Sequence, residues 1–210
     1  MTTKHELAEI VKLSIDSLIK TFQRSPYFFY TENDLHVCLY HMIYSELPPE
    51  DWMCKTRDKK SSILLHKEYP TKLRYSARAL KRVASGGARG HFDLCIWNPE
   101  KTEERDFRAQ RTNFKEEQQT FIAIEFDLIE GNDSYNSALH HFKWDQLKLT
   151  GLENEVEYGY QLVFVRDWKN KNDFVEKARK HSERAANATV LYIERNNQSQ
   201  IVETLHRRHS

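Results

Sequence analysis

At 210 residues the chain fits one large domain with room for a real core, and its 12% aromatic content exceeds that of a disordered segment. Its 32 basic side chains nearly balance its 31 acidic ones, so bulk charge is silent on a polyanionic partner and only local patches can speak to one. No apolar run approaches the roughly 18 residues that span a bilayer. Cys38, Cys54 and Cys95 form no paired framework, so the expectation is a reduced, cytoplasmic protein with no membrane partner.

In chain order, Leu7, Val11, Ile15, Leu18 and Phe22 recur at helical spacing and predict an amphipathic helix over 5–24, closed by Pro26. A second helix is predicted after Thr31, a good N-cap, with Glu32 and Asp34 in its first turn; Pro48-Pro49 ends it. Residues 62–69 read as a first strand. The stretch 71–90 holds Lys72, Arg74, Arg78, Lys81, Arg82 and Arg89 and no acid. If helical, it would put Arg74, Arg78, Lys81 and Arg82 on one side. Gly86-Gly87 then turns into a strand at 91–97.

Residues 98–120 are dense in both charges and read as a solvated hairpin connection or mobile loop. A strand at 121–128, a helix over about 134–150, a strand at 159–166, a helix near 172–186 and a strand at 188–194 complete the series. Residues 196–210 read as a polar, partly loose tail. No repeat or linker divides the chain, so residues 1–210 are read as a single domain. The order predicts an α/β fold, a central mixed sheet flanked by helices.

Side chains alternate along a strand, so in 121–128 Glu125 and Asp127 project together, roughly 6–7 Å apart. If the strand at 91–97 pairs with it, Asp93 lies beside Glu125. Such carboxylates repel, and one of them is driven to keep its proton unless a cation intervenes. Hard oxygen ligands with room for water suit Mg²⁺ or Mn²⁺, held by Asp93 and Glu125. The bland alternative is structural, with Asp93 capping a turn and Glu125 paired with an arginine. Two strands, each with an acid at the same kind of position, favour the metal.

The ordered set Glu32, Asp93, Glu125-Phe126-Asp127 and Asp145-Gln146-Leu147-Lys148-Leu149 resembles the PD-(D/E)xK nuclease superfamily, the restriction-endonuclease-like fold, over roughly residues 30–166. Glu32 matches the family's helix acid and Asp93 its strand Asp. Glu125-Phe126-Asp127 matches Glu-x-Lys with the lysine replaced by Asp127. Phe92 stands where the family has Pro.

The resemblance implies a metal-dependent nuclease acting on DNA, with Glu32, Asp93, Glu125, Asp127 and Lys148 as catalytic residues. In the family the lysine orients the attacking water, which an aspartate cannot do. Either a lysine reaches in from elsewhere, with Lys148 preferred over Lys143 and Lys67, or the site has lapsed and the fold serves as a nucleic-acid or protein binding module. Lys148 also has an ordinary reading, an i, i+3 pair with Asp145.

Arg74, Arg78, Lys81, Arg82 and Arg89 would track a phosphate backbone, giving affinity without sequence information. A homodimer would suit cleavage of both strands.

Overall fold

Thr3 and Glu6 begin the first helix by capping each other: Glu6 N donates to Thr3 Oγ1 (3.2 Å) and Thr3 N to Glu6 Oε2 (2.8 Å). The computed structural model describes residues 2–76, 81–83, 88–107, 117–169, 171–182, 188–194 and 200–202. Helix α1 (Lys4–Arg24) buries Leu7, Val11, Ile15, Leu18 and Phe22 along one stripe. Helix α2 (Glu32–Ser45) starts at a second reciprocal cap, Thr31 with Asp34, whose Oδ2 also accepts from Tyr30 N (2.8 Å).

Strands β1 (Met53–Lys55) and β2 (Ser61–Ile63) form a small separate hairpin. The main sheet is built from β3 (Leu65–Ser76), β4 (Lys81–Val83), β5 (Ala88–Trp97), β6 (Thr120–Ile129), β7 (Val156–Val165), β8 (Ala188–Glu194) and β9 (Gln200–Val202), in the order β4-β3-β5-β6-β7-β8-β9. Pairing is antiparallel from β4 to β6, parallel across β6, β7 and β8, and antiparallel again to β9. The parallel neighbours are joined through helices α3 (Tyr135–Leu149) and α4 (Lys171–Ser182), the crossover that parallel pairing requires.

The fold is therefore α/β, a mixed sheet flanked by helices. Alternation along the central strands feeds two apolar layers. Phe126, Leu162 and Phe164 pack with α1 and α2, whereas Val163, Val165, Val190 and Tyr192 pack with Phe142 of α3 and Phe174 of α4. Strand β6 is buried on both faces, so any acid on it must find its partners inside.

One expectation needs correction, and the structure adds detail to two more. The basic stretch is not a helix where it is described: residues 71–76, 81–83 and 88–90 are strand, and Arg74 lies across from Val83 of β4 and from Arg89 of β5. Where it is described, its β3 backbone is taken up by pairing with β4 on one side and with β5 on the other. Residues 77–80 and 84–87, with Arg78, lie outside the described residues, as do the side chains of Lys81, Arg82 and Arg89.

The charged connection is anchored where it is described. Arg57 forms an ion pair with Asp106 (2.9 Å), Gln118 Nε2 donates to the Arg105 carbonyl (3.0 Å), and Thr102, Glu117 and Gln118 are buried. Residues 108–116 lie outside the described residues. The tail contributes a strand, because Ile201 and Val202 of β9 pair with Leu191 and Val190 of β8.

Cys38, Cys54 and Cys95 are free thiols. Among the described residues no helix is long and apolar enough to cross a membrane.

Candidate active site

Antiparallel pairing of β5 with β6 runs Ile96↔Ile122, Cys95↔Ala123, Leu94↔Ile124, and its next step would set Asp93 against Glu125. There Asp93 Oδ2 accepts the Phe126 N–H at 2.8 Å. The carboxylate thus takes over a backbone donor between Glu125 and Asp127. Glu125 is wholly buried and Asp127 is 5% exposed. In the parallel register they lie beside Gln161 and Val163 of β7, on the face covered by α3 and α4.

Glu32 comes from the other helical layer. Arg166, just past β7, donates through its side chain to the Phe29 carbonyl (2.7 Å), pairs with Glu130, and donates its backbone N–H to the Ile129 carbonyl (2.9 Å). These contacts fasten the approach to α2 against the ends of β6 and β7. Glu32 Oε2 then accepts the Leu128 N–H (3.2 Å). One turn further along α2, His36 is 4% exposed, and its ring packs against Phe126 with centroids 4.6 Å apart. His36 Nε2 stands 3.7 Å from Glu32 Oε1 and 3.6 Å from Asp93 Oδ2.

The cation arrives from α3. Ser134 caps that helix by accepting from Ser137 N (3.1 Å). The i, i+3 spacing of Asp145 and Lys148 turns both inward. Lys148 Nζ donates to Glu125 Oε2 (2.6 Å) and to the His91 carbonyl (3.0 Å), and lies 2.9 Å from Asp145 Oδ1. Both readings of Lys148 therefore hold, the helix pair with Asp145 and the reach to the strand acid. Among the described residues it is the lysine that contacts Glu125; Lys67 pairs with Glu68 (3.3 Å).

Charge is unbalanced in this pocket. Glu32, Asp93, Glu125, Asp127 and Asp145 act electrostatically on one another, with Lys148 among them. Burial and the neighbouring Asp93 push Glu32 up to about 7. Burial pushes Asp145 up to about 6 against the pull of Lys148. Burial, then Asp145 and Glu32, push Asp127 well above the carboxylate range.

Burial also pushes Glu125 up, aided by Asp93 and opposed by Lys148. Burial works against the Lys148 ammonium, but Glu125, Asp145 and Asp93 outweigh it and hold the lysine above its ordinary range. A 2.6 Å contact fits an ionised carboxylate meeting an ammonium. The group that keeps a proton is then Asp127, whose polar neighbour is the neutral Gln161 amide (3.0 Å). Burial pushes His36 down, towards the uncharged imidazole.

Glu125 Oε1 is buried and has no hydrogen-bond partner among the described residues. An unsatisfied carboxylate oxygen amid excess negative charge fits a divalent cation. Lys148 already holds Glu125 Oε2, however. Among the described residues, Glu32, His36 and Asp93 each bring a donor atom to one place, all within 4.8 Å of one another.

Sequence reasoning missed His36, although its i+4 spacing from Glu32 put the two on one helical face. It also missed Gln161, an amide inside an apolar strand, and Gly90. A Cβ at Gly90 would lie 3.1 Å from Lys148 Cδ and 3.2 Å from Thr71 Oγ1. Neither neighbour gives easily, because the ammonium is pinned at its tip and Thr71 Oγ1 donates to the Gly90 carbonyl (3.1 Å). Gly90→Ala is therefore expected to shift Lys148 and destabilise the protein by about 1–3 kcal/mol. Chemical denaturation beside a check of secondary structure reads this, and an unchanged midpoint would contradict it.

Comparison with protein-family models, with curated proteins and with solved structures finds no match to this chain.

Proposed function

We propose that this protein is a metal-dependent nuclease of restriction-endonuclease-like fold that hydrolyses phosphodiester bonds in DNA. The observation that carries the reading is the position of Lys148. The Glu-x-Lys lysine is replaced by Asp127, and α3, which covers that face of the sheet, delivers an ammonium to Glu125 instead. A sequence-remote lysine, the helix acid Glu32 and the strand acids Asp93, Glu125 and Asp127 then form one pocket.

In this reading Asp93 and Glu125 present carboxylate oxygens to Mg²⁺ or Mn²⁺, and Glu32 and Asp127 add an outer hydrogen bond or a further oxygen. A divalent ion held there supplies a Lewis acid for a phosphoryl oxygen and lowers the pKa of a bound water. Lys148 keeps Glu125 ionised and oriented. The edge ribbon β3-β4-β5, which carries Arg74, Lys81, Arg82 and Arg89, offers positive charge to the DNA backbone.

A second reading, a lapsed nuclease fold that binds nucleic acid or protein without cleaving, is favoured by one observation. An ammonium has three N–H donors. Glu125, Asp145 and the His91 carbonyl take all three from Lys148, leaving none for water or phosphate in this arrangement. Asp93→Asn and Glu125→Gln decide between the two. The nuclease reading expects each to abolish DNA cleavage while the fold persists. Full cleavage by both variants would refute it.

A further inference from the structure

The donor atoms nearest to a cation-binding arrangement belong to Glu32, His36 and Asp93. We infer that these three residues, not the strand carboxylates alone, form a mixed nitrogen–oxygen metal site selective for Mn²⁺ and similar first-row ions over Mg²⁺. The inference rests on the same pocket as the nuclease reading and changes which residues hold the ion and which ion they prefer.

Three observations carry it. First, His36 is 96% buried by its 4% exposure, and neither Nδ1 nor Nε2 has a hydrogen-bond partner among the described residues. A buried ring nitrogen aimed between two carboxylates needs a partner. Second, the distances suit coordination: Nε2 lies 3.7 Å from Glu32 Oε1 and 3.6 Å from Asp93 Oδ2. Donors that far apart subtend roughly 110–135° at an ion roughly 2.0–2.2 Å from each, an open angle that lets one ion reach the ring nitrogen and either carboxylate.

Third, the donors are already aimed. Leu128 N–H holds Glu32 Oε2 and leaves Oε1 for the ion, Phe126 N–H uses one lone pair of Asp93 Oδ2, and the Phe126 ring fixes the imidazole. The Glu32 side chain is 44% exposed, which opens the site to solvent and to an entering ion.

Selectivity follows from the nitrogen. Mg²⁺ takes oxygen ligands and dehydrates reluctantly, whereas a first-row transition ion accepts a nitrogen donor more readily, Mn²⁺ being the earliest and weakest binder of that series. The two carboxylates supply two negative charges, which balance a divalent ion.

The test uses the full chain, stripped with chelator and titrated with Mn²⁺ or Mg²⁺. Pulsed EPR of the bound Mn²⁺ is expected to show ¹⁴N coupling, and Mn²⁺ to bind about tenfold or more tighter than Mg²⁺. His36→Gln is expected to remove the coupling and weaken Mn²⁺ about tenfold or more, with Mg²⁺ changed by less than about threefold. His5→Gln, at an exposed histidine on α1, is expected to change neither.

Absence of ¹⁴N coupling in the wild-type protein would overturn the site without reference to any variant. Unchanged Mn²⁺ affinity in folded His36→Gln would overturn it as well. DNA cleavage is read separately. Mn²⁺ bound at His36 without cleavage keeps the site and removes the nuclease, while Mg²⁺-supported cleavage without ¹⁴N coupling does the reverse.

Discussion

In the nuclease reading, Lys148→Met is expected to cut metal-dependent cleavage roughly 10- to 100-fold, the cost of losing the group that keeps Glu125 ionised and oriented. It is also expected to destabilise the fold by about 3–5 kcal/mol at pH 8, as when one partner of a buried ion pair is lost. Methionine matches the lysine stem and fills the space over Gly90, so the effect comes from charge rather than from a cavity. Glu125 and Asp145 would remain buried with no cation among them. Such a loss is large against the 5–15 kcal/mol stability typical of a folded protein.

The pH dependence has a definite sign. Lys148 is held above its ordinary range, so its own titration removes nothing at any pH below its unfolded value, and the pH dependence comes from its partners. Asp145, at about 6 in the folded protein, takes up its proton as pH falls and no longer needs the ammonium. The penalty of Lys148→Met should therefore shrink between pH 8 and pH 5. Urea denaturation at both pH values measures this, and equal penalties would contradict it.

Asp127→Asn is expected to do the opposite and stabilise the metal-free protein at pH 8 by roughly 2 kcal/mol, the order of the penalty for a buried, poorly paired polar group. Burial and repulsion hold Asp127 well above its unfolded value. The native state thus keeps a proton that the unfolded chain has released, and stability falls as pH rises from about 4 upwards. Asparagine cannot ionise, fits the same space and still accepts from Gln161. The gain should be largest at pH 8 and nearly vanish at pH 4. His36, His66 and Lys72 also titrate, but they are present in both proteins and cancel in the comparison. A gain of this size raises Tm by roughly 4–8 °C in a chain of this length. An Asp127→Asn protein that melts lower than wild type at pH 8 would show that Asp127 is ionised and needed.

The fold was largely legible in the sequence because each element buries a clean pattern. The α1 stripe and the apolar run Leu162-Val163-Phe164-Val165 leave one period each to read. The acid-free segment 71–90 was not legible as strand, because an edge ribbon is held by backbone pairing and its charges carry no period of two. Alternation along β6 placed Glu125 and Asp127 on one face, and helical spacing put Asp145 and Lys148 together.

The closed grip on Lys148 was not legible. It depends on the His91 carbonyl and on the absence of a side chain at Gly90, and no pattern of residue types encodes either. His36 was readable in principle from its spacing with Glu32. It passes unnoticed because a lone histidine on an apolar helix face is ordinarily core.

Supercoiled plasmid and single-stranded DNA, each incubated with the purified protein and Mg²⁺, Mn²⁺ or EDTA, give the most direct measurement. Strand scission that requires the divalent ion and stops with EDTA is the predicted result. Intact DNA under every ion, from folded protein that still retards DNA in a gel, would contradict the nuclease and leave a binding module built on the same pocket.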